Sequence, residues 1–219
     1  KSTLMRLLAR EARPDAGTVT LEGTPLPRYA QRALARRLAH LPQHLPETPG
    51  LSVAEFCALG RFPWRGLLGR WSAADAAATG RALAETGLSD LAGQDIDSLS
   101  GGERQRAWIA MLLAQEAPLL LLDEPISALD PAHQLEVLSL LRRLARSGGR
   151  RVVAILHDVN LAARHADRIV ALKRGEVVFD GPPEALIDAD VLSRLYDVRA
   201  ELVAHPRGGL PIATFTDAA

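Results

Sequence analysis

Apolar residues Leu4, Leu7 and Leu8 recur at helical spacing and predict a helix over 2–11. Asp15-Ala16-Gly17 then turns the chain into 18–21, which alternates like a strand, and a second helix and a short strand lead to Gln43. Two prolines and a glycine between Pro46 and Gly50 interrupt this pattern. From there to about residue 98 the chain reads as helices without a strong strand, so an inserted helical subdomain is expected over 46–98. Its clearest helix opens at Ser72, which stands at capping-box spacing from Asp75, and stops at Gly87.

After residue 98, strands and helices alternate, the pattern of a parallel sheet covered by helices. Residues 119–122 form a short, fully apolar strand, 131–147 a helix closed by Gly148-Gly149, and 151–156 another buried strand. Residues 168–172 and 177–180 pair around Lys173-Arg174-Gly175-Glu176, and two short helical segments run on to Tyr196. Pro206, Gly208, Gly209 and Pro211 predict an extended tail over 201–219. The expected organisation is one α/β domain, with its core in 1–45 and 99–200.

The 219 residues carry 47% hydrophobic side chains, enough to fill a core of that size. Twenty-six basic residues balance 26 acidic ones, which excludes a histone-like or polybasic role, and no nucleic-acid partner is expected. All but two of the basic residues are arginines, read as a codon bias. The single cysteine, Cys57, cannot form an intrachain disulfide, and a reducing compartment fits best. The longest apolar run, Ala107 to Ala114, is far short of the roughly 20 residues that span a bilayer.

Three stretches suggest phosphate chemistry. Lys1-Ser2-Thr3 before an apolar helix is similar to the end of a P-loop, where a lysine reaches phosphates and a serine hydroxyl ligates Mg²⁺. Asp123 and Glu124 emerge from the carboxyl end of an apolar strand, where open α/β sheets hold ligands. There one carboxylate can hold Mg²⁺ through water and the other can orient or deprotonate an attacking water. In 99–106, Ser100 and Glu103 form an S-x-x-E capping box, and Gly101 and Gly102 let an anion approach the amides that open the helix.

The string 99–106 resembles the signature motif of ATP-binding cassette (ABC) ATPases. The other motifs of that family follow in order: Gln43 at the Q-loop, Ser127-Ala128-Leu129-Asp130 as the D-loop and His157 as the switch histidine. The resemblance implies a P-loop α/β fold and a homodimer that sandwiches two ATP molecules. It assigns Lys1, Ser2 and Thr3 to the phosphates, and Ser2, Gln43 and Asp123 to Mg²⁺. Glu124 polarises the water, His157 contacts the γ-phosphate, and Gln43 senses it. Ser100, Gly101 and Gly102 close on the nucleotide of the second copy, and Asp130 links the two sites. The other histidines, His40, His44, His133, His165 and His205, show no metal-ligand pattern and are expected on the surface.

Leu59-Gly60-Arg61-Phe62-Pro63-Trp64 narrows the class, being similar to a segment of ATPases that drive iron-siderophore, haem and cobalamin importers. Residues 97–113, 121–141 and the tail around His205-Pro206 resemble ferric hydroxamate importer ATPases in particular. This implies a polytopic permease as partner, a siderophore-binding protein acting indirectly, and a place on the cytoplasmic face of a bacterial inner membrane. Phe62, Pro63, Trp64 and Trp71 serve either local packing or permease coupling. Ile126 departs from the threonine usual in the family. The numbering is expected to begin inside a longer protein, with the P-loop glycines and first strands upstream of Lys1, so the segment alone is expected to bind ATP poorly. The rival readings are a haem or cobalamin importer ATPase, a soluble ABC ATPase that remodels DNA or ribosomes, and a non-catalytic remnant.

Overall fold

A computed structural model describes residues 1–46, 48–66, 69–147 and 149–216. The chain divides into two compact units, one over 2–155 and one over 156–219 together with Lys1.

In the first unit, α1 (Ser2–Leu8) is followed by a small hairpin, β1 (Thr20–Leu21) and β2 (Thr24–Pro25). Glu22 and Gly23 both have positive φ, 50° and 76°, as a two-residue hairpin turn requires. Next come α2 (Gln31–Ala35), β3 (Leu38–Leu41), α3 (Val53–Ala58), α4 (Phe62–Arg65), α5 (Ala73–Glu85) and α6 (Gly101–Ala114). The unit closes with β4 (Leu119–Leu122), α7 (Pro131–Ser147) and β5 (Arg151–Ala154).

The three strands β3, β4 and β5 form a parallel sheet in that order, with Leu41 opposite Leu122 and Leu122 opposite Ala154. Leucines fill the central strand because both its faces are covered. The strand expected to be buried over 151–156 is shorter and lies at the sheet edge, with Val153 43% exposed. The first helix also differs from its leucine pattern. Met5 is its buried residue and joins Leu34, Leu38 and Leu121 in one cluster, while Leu4 faces out.

Helices α3 and α5 pack on α6, where Phe56 meets Trp108 edge to face with ring centroids 4.8 Å apart. The predicted helix after Ser72 is present, and both arms of its capping box are made. Inside this group Arg61 and Asp75 form a buried ion pair at 2.9 Å, and Arg61 Nη1 also donates to the Ala114 carbonyl at 2.7 Å. Glycine is required at position 60, because a Cβ there would sit 3.1 Å from the Gln115 amide and collide with the Met111 carbonyl.

The second unit comprises α8 (Val159–His165), β6 (Ile169–Lys173), β7 (Glu176–Gly181), α9 (Pro183–Leu186), α10 (Ala189–Tyr196), β8 (Arg199–Val203) and β9 (Ile212–Thr216). Its core is Val159, Ala163, Leu186, Ile187, Leu192, Ala200 and Ala213. Strands β6 and β7 pair antiparallel through Arg174 and Gly175, both at positive φ. The tail expected to be extended over 201–219 holds, in its described part, most of an antiparallel hairpin, β8 with β9. Of the predicted helix closure, Gly149 has φ +63°, and Gly148 lies outside the described residues.

Candidate nucleotide site

Parallel pairing brings the ends of β3 and β4 side by side, and the Asp123 amide donates to the Leu41 carbonyl at 2.9 Å. Gln43 and the Asp123-Glu124 pair therefore leave the sheet at the same edge. They line one cavity of about 290 Å³ with Pro42, Gln105, Ser127 and Ala128. Asp123 is buried and Glu124 half-buried. Glu124 has φ 53°, a left-handed conformation uncommon outside glycine and found preferentially at functional sites.

Packing of α1 on the sheet through Met5 sets Ser2 over the strand ends, and its hydroxyl donates to Asp123 Oδ1 at 3.3 Å. Two residues assigned to Mg²⁺ from distant parts of the chain are thus in contact. Thr3 is exposed beside Ser2, and Lys1 is exposed just before the helix. His157 belongs to the second unit, exposed between β5 and α8. There Asp158 caps α8 by accepting from the Leu161 amide at 2.9 Å.

Ser100, Gly101 and Gly102 open α6. The Ser100 hydroxyl and amide both donate to Glu103 Oε2, at 2.6 and 2.9 Å, and the Glu103 amide returns a bond to Ser100. The Ser100 hydroxyl bond, with its amide bond second, holds the Glu103 carboxyl below its usual range. First-turn amides have no acceptor within their own helix, and those of Gly101, which is exposed, and Gly102, which is buried, stand at its positive end. A Cβ at Gly101 would meet open space.

Asp130 caps α7, accepting from the His133 amide at 3.0 Å, with Pro131 as the first helical residue. These bonds from His133, the backbone one first, lower the Asp130 carboxyl below its usual range. Gln134, which the sequence patterns do not mark, donates to the carbonyls of Ile126 and Leu129 at 3.2 and 3.0 Å and so fixes the D-loop from behind. Ile126 is buried, packing where the family pattern has a hydroxyl. His133 was expected on the surface but is half-buried beside Gly102, and the His40 side chain is 11% exposed, with Nδ1 2.8 Å from Glu11.

A second contact system lies under Leu59 to Trp64. Trp64 Nε1 donates to the Gln115 carbonyl at 2.8 Å, and the Gln115 amide donates to the Leu38 carbonyl at 3.1 Å. The Arg36 guanidinium lies 4.7 Å from the centroid of the same indole. Gln115, another residue without a sequence signal, thereby links this segment to β3. Pro63 is buried, whereas Leu59, Phe62, Trp64 and Trp71 keep 38% to 55% of their surface exposed.

The ABC transporter family model matches residues 1–127. Among curated relatives, the ferric enterobactin transport ATP-binding protein FepC of Escherichia coli (strain K12) is 42% identical over 97% of this chain and 78% of its own length. The iron(3+)-hydroxamate import ATP-binding protein FhuC of Bacillus subtilis (strain 168) is 42% identical over 99% and 81%. An inward-facing ABC transporter of metal-chelate type superposes with TM-score 0.84 at 28% identity, over 98% of this chain and 82% of that one. The ATP-binding cassette MJ0796, dimeric in a post-hydrolysis state with ADP and Pi, gives 0.69 at 27% identity, over 83% and 80%. The α/β architecture, the order of motifs and these likenesses agree: the chain belongs to the ABC transporter family, as one of its ATP-binding, ATP-hydrolysing subunits.

Proposed function

We propose that this subunit energises import of a ferric hydroxamate siderophore. It works as a homodimer on the cytoplasmic face of a bacterial inner membrane, beneath a polytopic permease supplied by a siderophore-binding protein. The observation that carries the reading is the cavity where Gln43, Asp123 and Glu124 meet at the strand ends, with Ser2 bonded to Asp123. Among the described residues no helix is long and apolar enough to cross a membrane. The exposed aromatic residues at 62, 64 and 71 offer a surface for the permease.

The donor set suits Mg²⁺: one buried carboxylate, a serine hydroxyl 3.3 Å from it and a nearby glutamine supply hard oxygen ligands. Among the described residues there is no group of three or more His, Cys, Asp or Glu fit for a metal. That matches a cation held largely by substrate phosphates. When bound, Mg²⁺ neutralises charge on the β- and γ-phosphate oxygens. Ser2, Asp123 and Gln43 would hold it, while Lys1 and Thr3 bind phosphate. Glu124 orients the water and accepts its proton, so that the water oxygen bonds to the γ-phosphorus as the bond to the leaving ADP breaks. His157 contacts the γ-phosphate, Ser100 to Gly102 close on the nucleotide held by the second copy, and Asp130 joins the two sites.

The test is uptake of radiolabelled iron by cells lacking the gene, supplied with the full-length protein or its Glu124→Gln variant. Uptake of iron hydroxamate restored by the first alone supports the proposal. Restoration of haemin or cobalamin uptake instead would assign the other cargo, for which relatives at 43% and 39% identity are named.

A further inference from the structure

The seat of His133 has no role in the motif set. Its Nδ1 lies 2.8 Å from Asp130 Oδ2, and an ionised carboxylate only accepts, so Nδ1 carries the proton. The other side of the ring lies flush on Gly102. A Cβ there would come 2.6 Å from His133 Cγ and 2.9 Å from Nε2, and closer still to Cδ2. One helical turn further along, Arg106 of α6 pairs with Glu136 of α7 at 2.7 Å, a second side-chain contact between these helices. Gly102 thus has a packing reason for lacking a side chain, separate from approach to a phosphate.

We infer that His133 is a positioning residue that ties the nucleotide-facing end of α6 to the D-loop. Asp130 orients the imidazole, and the imidazole sets the height of the Gly102 amide. A displacement of Asp130 by one nucleotide is therefore felt at the signature residues that serve the other. The contact is close: ring atoms and a backbone meet with no space for a side chain between them. This inference rests on the proposed roles of Ser100 to Gly102 and Asp130.

The test uses the full-length protein. His133→Ala is expected to lower kcat for ATP hydrolysis by about tenfold or more. KM for ATP stays within about twofold, since nucleotide first docks on the opposite protomer, and the thermal midpoint is unchanged. His133→Asn, whose amide can still donate to Asp130, is expected to restore at least half of kcat. A His133→Ala kcat within twofold of the parent, a loss that tracks the thermal midpoint, or a loss that the asparagine does not rescue each overturns the inference. ATP-driven dimerisation of Glu124→Gln is the separate control. If that fails, the reading of Ser100 to Gly102 falls, independently of the His133 variants.

Discussion

Ser2 and Asp123 stand 121 positions apart, yet the serine hydroxyl donates to the aspartate at 3.3 Å. The hydrogen bond keeps a hydroxyl and a carboxylate side by side at the strand ends, and with the role proposed for them this predicts a metal-dependent defect when either is changed. In the full-length protein, Asp123→Asn is expected to weaken Mg·ATP binding by about tenfold to a hundredfold, with a smaller loss for Ser2→Ala. Titration calorimetry with and without EDTA reads this directly. An equal loss in both conditions would mean that the pair does not serve the cation.

The ion pair of Arg61 and Asp75, extended by Glu116, predicts unequal stability losses when one partner is removed. Both side chains are only 5% exposed, but removing Asp75 leaves Arg61 with Glu116 at 2.6 Å and the Ala114 carbonyl at 2.7 Å, so its charge stays partly compensated. Asp75→Ala is expected to cost about 1 to 3 kcal/mol, and Arg61→Met more, because it removes the partner of both Asp75 and Glu116. Urea unfolding measures both, and equal losses in the two variants would contradict the argument.

Gly60 makes a backbone-to-backbone contact with α6. Gly60→Ala is expected to destabilise by about 1 to 3 kcal/mol through overpacking, lowering the urea midpoint. An unchanged midpoint would show that the segment has room to retreat.

Acid sensitivity follows from the capping box on α6. The Glu103 carboxyl is lowered from its ordinary 4.5, chiefly by the Ser100 hydroxyl. A depressed native value gives stability that is fully present above 4.5 and is lost as pH falls through that lower value. Urea midpoints followed downward from pH 5 are expected to fall less steeply in Glu103→Gln than in the parent. Parallel curves would remove Glu103 from this role.

Cys57 is fully buried, and burial pushes its thiol up to about 12. The thiolate is the reactive form, so iodoacetamide at pH 8 is expected to leave the native protein unlabelled and to label it in urea. Complete native labelling would contradict the packing of α3.

Where chemistry is strung along the chain, the sequence was informative. The strand 119–122 and the helix 131–147 coincide with the observed bounds, since one is a pure leucine run and the other has a cap, a first-turn proline and a clear apolar period. Helix α8 was not anticipated because its two large apolar residues, Val159 and Leu161, stand two apart, as they would in a strand. The final hairpin escaped because the prolines and glycines of its loop outweighed two five-residue strands on either side. In the site, the motif residues were legible one by one. His133, Gln134 and Gln115 were not, because their importance comes from contacts between elements. The hydrogen bonds of Gln115 to Leu38 and of Gln134 to Ile126 have no periodic trace.

Glu124 keeps a backbone shape that glycine would adopt without strain, at a cost of about 1 kcal/mol or more for a side chain of its kind. Replacing it with glycine would relieve that strain and, on the role proposed for it, remove the acid that readies the water. At this one turn the backbone would be at ease with the residue that has no acid to offer, so the strain is the mark left by keeping one.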